Sequence, residues 1–411
     1  MLKVDIIYGN YLSNKIGPST NLLRLLDNRE NFRKEGIDFT VFSLEAEFNK
    51  TDGQNMHSHT NFGTFLRMKV NRLFSLINIG HTSIGARILI YLKYIRHSNL
   101  VIARYLDRGR VADIVVFDEF FTCLNYFKHK KGNQKVVLFH HGNGDYFKMF
   151  RIYFPGLENS NYLRKLDSQF EELVKEIDAF VFVSEFGLQN FISQRKNLTQ
   201  FSSKYYKLYY GVESIEKEES LKYTDLEYAK NHLTLVCVGS VNERKGQFLI
   251  VDAFKRLEKR IRENITIHFL GSGTSELARL REDVEKSNLK DYLIFHGKVD
   301  NPNLFLANAD AFILTSFDEG LPISIIEAMN YGLPIFSTRV AGIPETLDGN
   351  GILIDPNEED VFKLLDSLHN LDLNSMSNRS RLMFQEKFSY SIFIKEYCHF
   401  LKKLNETRPI C

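Results

Sequence analysis

Hydrophobic positions along the chain fall into short apolar, β-branched runs, each separated from the next by a longer amphipathic stretch. That rhythm predicts βα units and parallel sheets. A first series of strands is expected at Val4–Tyr8, Phe39–Ser43, Asp113–Phe117, Lys135–His140 and Ala179–Val183. A second is expected at Leu233–Val238, Ile265–Leu270, Leu293–His296, Ala311–Thr315, Pro334–Ser337 and Ile352–Ile354. The runs VVLF, VFV and FILT are apolar at nearly every position, as strands covered on both faces must be. Between the two series, Glu213–Asn231 is polar and dense in charge, and reads as a linker. The expected fold class is therefore α/β, with two doubly wound, Rossmann-like parallel-sheet domains facing across a cleft. Ligands would lie at the carboxyl ends of the strands. The boundaries read as 1–215, 216–387 and a terminal segment 388–411, whose helical stretch Phe388–Leu404 is expected to pack back on the first domain.

Composition adds mainly exclusions. The chain has 411 residues, too many for one ordinary core, so two domains are the expectation. At 44% hydrophobic and 25% charged residues it is an ordinary globular sequence. A net charge of +2 makes no general case for nucleic acid. The four cysteines, Cys123, Cys237, Cys398 and Cys411, are scattered, which argues for a reducing compartment and against a disulfide framework or structural zinc. The opening MLKVDIIYGNYL reads as a strand, not a signal peptide, and no uncharged apolar stretch is long enough to span a bilayer. The expectation is a cytoplasmic protein, with a peripheral place on the inner face of the plasma membrane left open.

The densest chemistry lies in DAFILTSFDEGLPISIIEAMNYGLPIFSTRVAGIPE, residues 310–345. A buried strand ends at Thr315, Pro322 sits near the first turn of a helix, and Gly332 stops that helix in a left-handed position. Glu319 then falls in the strand-to-helix loop and Glu327 about a turn and a half into the helix. Backbone N–H groups of Gly320, Leu321 and Ile323 would point at whatever occupies the loop and favour an anion. Carboxylates at these two places suit sugar and ribose hydroxyls. Taken singly, Glu319 reads first as a helix cap and Glu327 as a solvated surface charge.

Seven residues separate the two glutamates, and A-M-x-x-G-x-P-I and G-I-P-E follow in order. The whole string resembles the signature of retaining family-4 glycosyltransferases, group 1, of the GT-B fold. The resemblance implies that Glu319 contacts the donor sugar, that Glu327 holds the ribose, and that amides of Gly320, Leu321, Pro322 and Ile323 line the sugar and diphosphate. LTLVCVGSVNERKGQFLIVDAF (233–254) is similar to the family's first C-domain strand, G-R-x-x-x-x-K-G loop and helix. Lys245 falls on the lysine that binds the donor diphosphate, where a cation offsets charge on the leaving nucleotide. Ser240 replaces the family's arginine, and Arg244 stands beside the lysine as its substitute. ITIHFLGSGTSEL resembles the family's second strand and glycine turn, with Gly271 and Gly273. DYLIFHGKVDNPNLFLANAD resembles the region around Gly297–Val299 whose backbone reads the base.

The first half resembles the family more thinly, as an acceptor domain. IGPSTNLLRLL is similar to a G-G loop with Gly17 kept and Pro18 in place of the second glycine. KVVLFHHGNGDYF ends a strand in an H-G pair, so the family's histidine near the reacting sugar falls on His141 rather than His140. VSEF (183–186) resembles a strand-end V-S motif, while YYGVE (209–213) carries Tyr210 where the family has asparagine. The stretch Gly53–Leu106 has no acidic residue, yet holds Arg67, Lys69, Arg72, Arg87, Lys93, Arg96 and Arg104 among large apolar side chains. It reads either as a surface for anionic lipid or a lipid-linked acceptor, or as a core helix with a solvated basic face. No motif supports nucleic acid.

The implied activity is transfer of a sugar from a nucleotide-sugar (UDP- or GDP-sugar) to a glycan or lipid-linked acceptor with retention. Bacterial surface-polysaccharide synthesis is the family's usual setting. There is no D-x-D, so neither a metal nor another cofactor is expected. Rival readings are a sugar-nucleotide epimerase or phosphorylase on the same fold, a non-catalytic partner or carbohydrate-binding subunit, and a dehydrogenase. Nothing marks a pyridoxal lysine. Loss of Glu319, Glu327 or Lys245 would favour the non-catalytic reading, and no G-x-G-x-x-G opens either half.

Overall fold

The computed structural model describes residues 1–14, 17–45, 47–48, 79–109, 111–215 and 232–407. The chain divides into two compact units. The first comprises residues 1–183, 188–208 and 394–411; the second comprises 184–187 and 209–393. The division after 208 falls ahead of the boundary read at 215. The reason lies in the strand-like pairing of Val212 with Ser389 and the backbone bonds Val212 N–H to Phe388 C=O and Tyr390 N–H to Val212 C=O, which bind 209–215 to the second unit. Most of the expected linker, residues 216–231, lies outside the described residues.

The first unit holds a seven-stranded sheet built from β1 (Leu2–Ile7), β2 (Ile37–Phe42), β3 (Glu47–Phe48), β4 (Ile114–Phe117), β5 (Lys135–His140), β6 (Ala179–Phe182) and β7 (Tyr205–Lys207). Their spatial order is β3-β2-β1-β4-β5-β6-β7, parallel except for β3 against β2. Every expected strand is present to within two residues, and the two short edge strands, β3 and β7, were not expected. They are too brief to carry a hydrophobic period of their own. In β4 all four side chains are at most 2% exposed, as the unbroken run IVVF requires of a strand between two helical layers. Beneath the sheet, Phe120, Phe147, Phe170, Phe180 and Phe191 form a chain of edge-to-face contacts. The helix Tyr390–Glu406 enters this unit at Ile394, and Tyr397 stacks on Phe39 and meets Phe32 and Phe139 edge-on.

The second unit holds six strands, all parallel: β8 (Leu233–Val238), β9 (Ile265–Leu270), β10 (Leu293–Gly297), β11 (Ala311–Leu314), β12 (Ile335–Thr338) and β13 (Gly351–Ile354). Their order is β10-β9-β8-β11-β12-β13. The chain works outward from β8 in one direction and then returns to β11 and works outward in the other. The crossovers leave β8 and β11 toward opposite faces and open a crevice between their carboxyl ends. The first sheet reverses in the same way between β1 and β4.

Of the basic stretch Gly53–Leu106, residues 53–78, including Arg67, Lys69 and Arg72, lie outside the described residues. The rest forms a helical rod, Ser83–Ile90, Tyr91–Ile95 and Arg96–Asp107. One side buries Ala86, Ile90, Val101, Ile102 and Tyr105 in the core. The other exposes Ile84 (75%), Tyr91 (51%) and Leu100 (52%) among Arg87, Lys93 and Arg96. Two of the cations are engaged within the unit: Arg87 lies over the ring of Tyr162, and Arg104 donates to the Ser43 carbonyl. No helix is long and apolar enough to cross a membrane among the described residues.

Candidate active site

In the second unit the switch-point crevice collects the residues that the motifs marked. The loop after β8 carries Ser240, Arg244 and Lys245; the loop after β11 carries Glu319. Although 74 residues apart, the Lys245 ammonium lies 2.5 Å from Glu319 Oε1. Arg244 reaches the other oxygen at 3.4 Å and also donates to the Asp318 carbonyl. Ser316 Oγ donates to Glu319 Oε1 at 2.7 Å. Glu319 is only 8% exposed. Burial alone would raise its carboxyl, but Lys245 and Arg244, with the hydrogen bonds from Lys245 and Ser316, hold it below the usual glutamate range.

The helix after this loop runs Ile323–Asn330, with Pro322 in extended conformation as its N-cap and no side-chain cap. Glu319 is therefore not the cap: its oxygens are taken by cations and a hydroxyl. In its first turn the Ile325 N–H already bonds to the Pro322 carbonyl, while those of Ile323 and Ser324 precede the first intrahelical bond. Leu321 and Pro322 are buried, Gly320 and Ile323 partly so, and Glu327 is half-buried and not a fully solvated charge. Gly342, in the loop after β12, abuts the carbonyl of Gly320 so closely that a Cβ there would lie 1.9 Å from it. The G-I-P-E segment thus braces the loop 319–322 from behind. Its Glu345 accepts from the N–H groups of Glu185 and Phe186 and from the Tyr209 hydroxyl.

The remaining motif residues of this unit lie on the adjacent loops. Gly239 N–H bonds to the Leu270 carbonyl and Gly271 N–H to the Gly297 carbonyl, so the ends of β8, β9 and β10 are tied one to the next. A Cβ on Gly271 would strike the Gly239 carbonyl at 1.9 Å, which is why that turn requires glycine. The Ser240 carbonyl accepts from Gln247 Nε2. Val299 is half-buried in the loop after β10.

The first unit carries the other two. Gly17 is the N-cap of the helix Pro18–Asp27. His141, just past β5, is 2.9 Å from Asp118 Oδ1, just past β4. His140 is 6% exposed, accepts from the Gly144 N–H, and is packed among Tyr146, Phe180 and Phe182. Burial drives its pKa down to about 3, so it is a neutral structural residue. Reading the sequence missed Asp118, Ser316 and the bracing role of Gly342. A signal for Asp118 was present: the pair Asp118-Glu119 directly follows the buried run IVVF, at a strand's carboxyl end. Among the described residues no group of three or more His, Cys, Asp or Glu side chains is arranged to hold a metal ion.

Residues 232–370 match the family Glycosyl transferases group 1. Over 133 residues the chain is 32% identical to an uncharacterized glycosyltransferase of Methanocaldococcus jannaschii, covering 31% of this chain and 32% of that one. Over 158 residues it is 27% identical to the O-antigen chain mannosyltransferase B of Escherichia coli, covering 37% and 41%. The chain thus spans less than half the length of either relative. Anabaena HepE, solved in complex with UDP, superposes over 98% of this chain and 100% of that one with a TM-score of 0.65 at 13% identity. Residues 232–370 are thus similar to glycosyl transferases group 1, and the two sheets have the GT-B fold.

Proposed function

We propose that the protein is a glycosyltransferase that moves a sugar from a UDP- or GDP-sugar to a hydroxyl of a glycan or lipid-linked acceptor, with retention of anomeric configuration. The observation that carries this reading is the buried Lys245–Glu319 pair at the switch point of the second sheet. A carboxylate held ionised in a buried loop is a strong acceptor for sugar hydroxyls. Lys245 and Arg244 beside it form a cationic wall for a diphosphate, and the N-terminus of the helix Ile323–Asn330 adds N–H groups of the same polarity. In this reading Glu327 holds the ribose, the backbone at Gly297–Val299 reads the base, and Ser240, Gly271 and Gly17 let the backbone approach the donor.

In the transfer step, the acceptor oxygen bonds to the anomeric carbon on the face from which the phosphate oxygen departs. The acceptor's proton passes to that departing oxygen. Lys245 and Arg244 offset the charge that builds on the leaving diphosphate, so no metal or other cofactor is invoked. His141 belongs to the acceptor unit as the group near the reacting sugar.

Nucleotide-stimulated hydrolysis of a panel of UDP- and GDP-sugars, with and without EDTA, tests the reading. One class of donor should turn over in EDTA, and Glu319→Gln should lower the rate roughly 10²- to 10³-fold, as loss of a main electrostatic contact does. Glu327→Gln should act mainly on donor binding. If no sugar nucleotide binds or is consumed, the reading fails.

The relatives' names point to surface-glycan assembly, and we place this protein in bacterial polysaccharide synthesis on that ground. A lipid-linked acceptor would bring the protein to an anionic membrane surface, and the exposed apolar and cationic side of the rod 83–107 suits that contact. Sedimentation with anionic vesicles is the deciding measurement.

A further inference from the structure

Two adjacent carboxylates follow β4, and the chain uses them differently. Glu119 is a helix cap: its Oε1 accepts from the Thr122 N–H at 2.7 Å and its Oε2 from the Phe121 N–H at 2.8 Å. Both oxygens are satisfied, as they are in Asp178, which takes the Lys135 ammonium on one oxygen and the Val136 N–H on the other. Asp118 is different. Its side chain keeps 8% of its exposure, one oxygen lies 2.9 Å from His141 Nε2, and Oδ2 is buried with no hydrogen-bond partner.

A buried carboxylate is costly unless its partners compensate it. A side chain kept only for structure at this place would be expected to fill both oxygens, as its neighbour does. Among the described residues, the one hydrogen bond that the Asp118 side chain makes is to the histidine. It sits at the first sheet's switch point, beside Tyr8 at the end of β1, whose hydroxyl bonds to Ser19 in the first turn of the helix Pro18–Asp27. A carboxylate can only accept, so the ring nitrogen facing it carries the hydrogen, and in the neutral ring the lone pair is on Nδ1. Phe139 lies parallel to the imidazole, with centroids 6.1 Å apart and an interplanar angle of 15°, and limits its tilt.

We propose that Asp118 is a positioning residue for the transfer reaction, holding His141 in one orientation and in the Nε2–H tautomer. The inference rests on the glycosyltransferase reading and adds a residue to it. In this role Asp118 acts through the imidazole, as an orienting carboxylate does for a histidine in other enzymes.

The test combines a spectroscopic and a kinetic readout on the full chain. With ¹⁵N-labelled histidine, the side-chain ¹⁵N shifts of His141, assigned by loss of the signal in His141→Gln, should report the Nε2–H tautomer. In Asp118→Asn they should move to the other tautomer or to a mixture. Turnover of the nucleotide sugar by Asp118→Asn should fall roughly 10- to 100-fold in kcat, with the donor KM within about twofold. Adding Asp118→Asn to His141→Gln should cost nothing further, because the two residues act as one unit. Should the asparagine variant fail to fold, Asp118→Ser takes its place in both measurements. Unchanged His141 shifts in the variant, or effects that multiply in the double variant, would overturn the proposal. A wild type that keeps the Nε2–H signature but consumes no sugar nucleotide would sink the glycosyltransferase reading, and with it the catalytic meaning of the pair. The Asp118–His141 coupling itself would stand.

Discussion

The two sheets reverse direction in the same way, yet their switch points are furnished with opposite chemistry. In the second unit the crevice is framed by two cations and one carboxylate, Lys245, Arg244 and Glu319, with the carboxylate fully engaged. In the first it is framed by two carboxylates and a histidine, Asp118, Glu119 and His141, with one carboxylate oxygen unfilled. A net cationic crevice suits a diphosphate, and a carboxylate–imidazole pair suits hydroxyl groups. The shared topology therefore decides where a site lies, and the side chains placed there decide what it takes.

The sharpest way to break that contrast is to remove one ion-paired lysine from each unit. Lys245→Met strips the second unit's crevice of the cation nearest Glu319 and leaves it Ser316 and the more distant Arg244. Donor turnover should fall roughly 10²- to 10³-fold. Lys135→Met removes the partner of Asp178 at the amino end of β5, away from either switch point. It should lower stability by thermal melting and leave turnover per folded molecule intact. Equal kinetic losses in the two variants would show that Lys245 acts through folding alone.

A smaller effect separates structural from functional histidine. The His140 pKa is depressed by burial, with His141 adding to the shift, to about 3. Its contribution to stability is complete above about 6.5 and is lost as pH falls toward 3. The Glu119 pKa is raised by burial to about 7, against the lowering pull of its two backbone hydrogen bonds. Its contribution is complete below the ordinary glutamate value and is lost as pH rises through 7. The two slopes oppose each other between about 4.5 and 6.5. Protection of the β5 amides, relative to their intrinsic exchange at each pH, should change little across that window in the wild type. In His140→Gln, protection should fall as pH rises. A pH-independent variant would show that Glu119 is already ionised in the fold.

The smallest effect is expected at the rod 83–107. Neutralising Lys93 and Arg96 should weaken sedimentation with anionic vesicles about fivefold per charge at low salt, from roughly 1 kcal/mol for each basic residue near the surface. Neutralising Arg67, Lys69 and Arg72 extends the same test to the rest of the stretch. Unchanged sedimentation in both sets would remove the membrane from the proposal.

Much of this was legible along the chain, for identifiable reasons. Strands such as β4 and β11 announce themselves because a segment buried on both faces must be apolar at every position. The loop 319–323 and Lys245 were legible because a strand-to-helix loop is local in sequence, so its glycine, proline and charges stand in a fixed order. Asp118 was not, since its meaning depends on His141, 23 positions away on the next strand. The basic stretch stayed open between a surface and a core helix with a basic face, because helical period hides which side faces the core. Arg87 and Arg104 proved to be spent on Tyr162 and Ser43.

By itself, then, the sequence determined the alternation of strands and helices, the two-sheet architecture and the place of residues 319–323 in a strand-to-helix loop, because these follow from local periodicity and short-range turn chemistry. Only the tertiary structure decided that Glu319 is an ion-pair partner and not a cap, that Gly342 braces Gly320, and that Asp118 holds His141. Each of these depends on which strands lie side by side. That order is set by the handedness and length of the crossovers and by burial of both sheet faces, and no single stretch of residues encodes it.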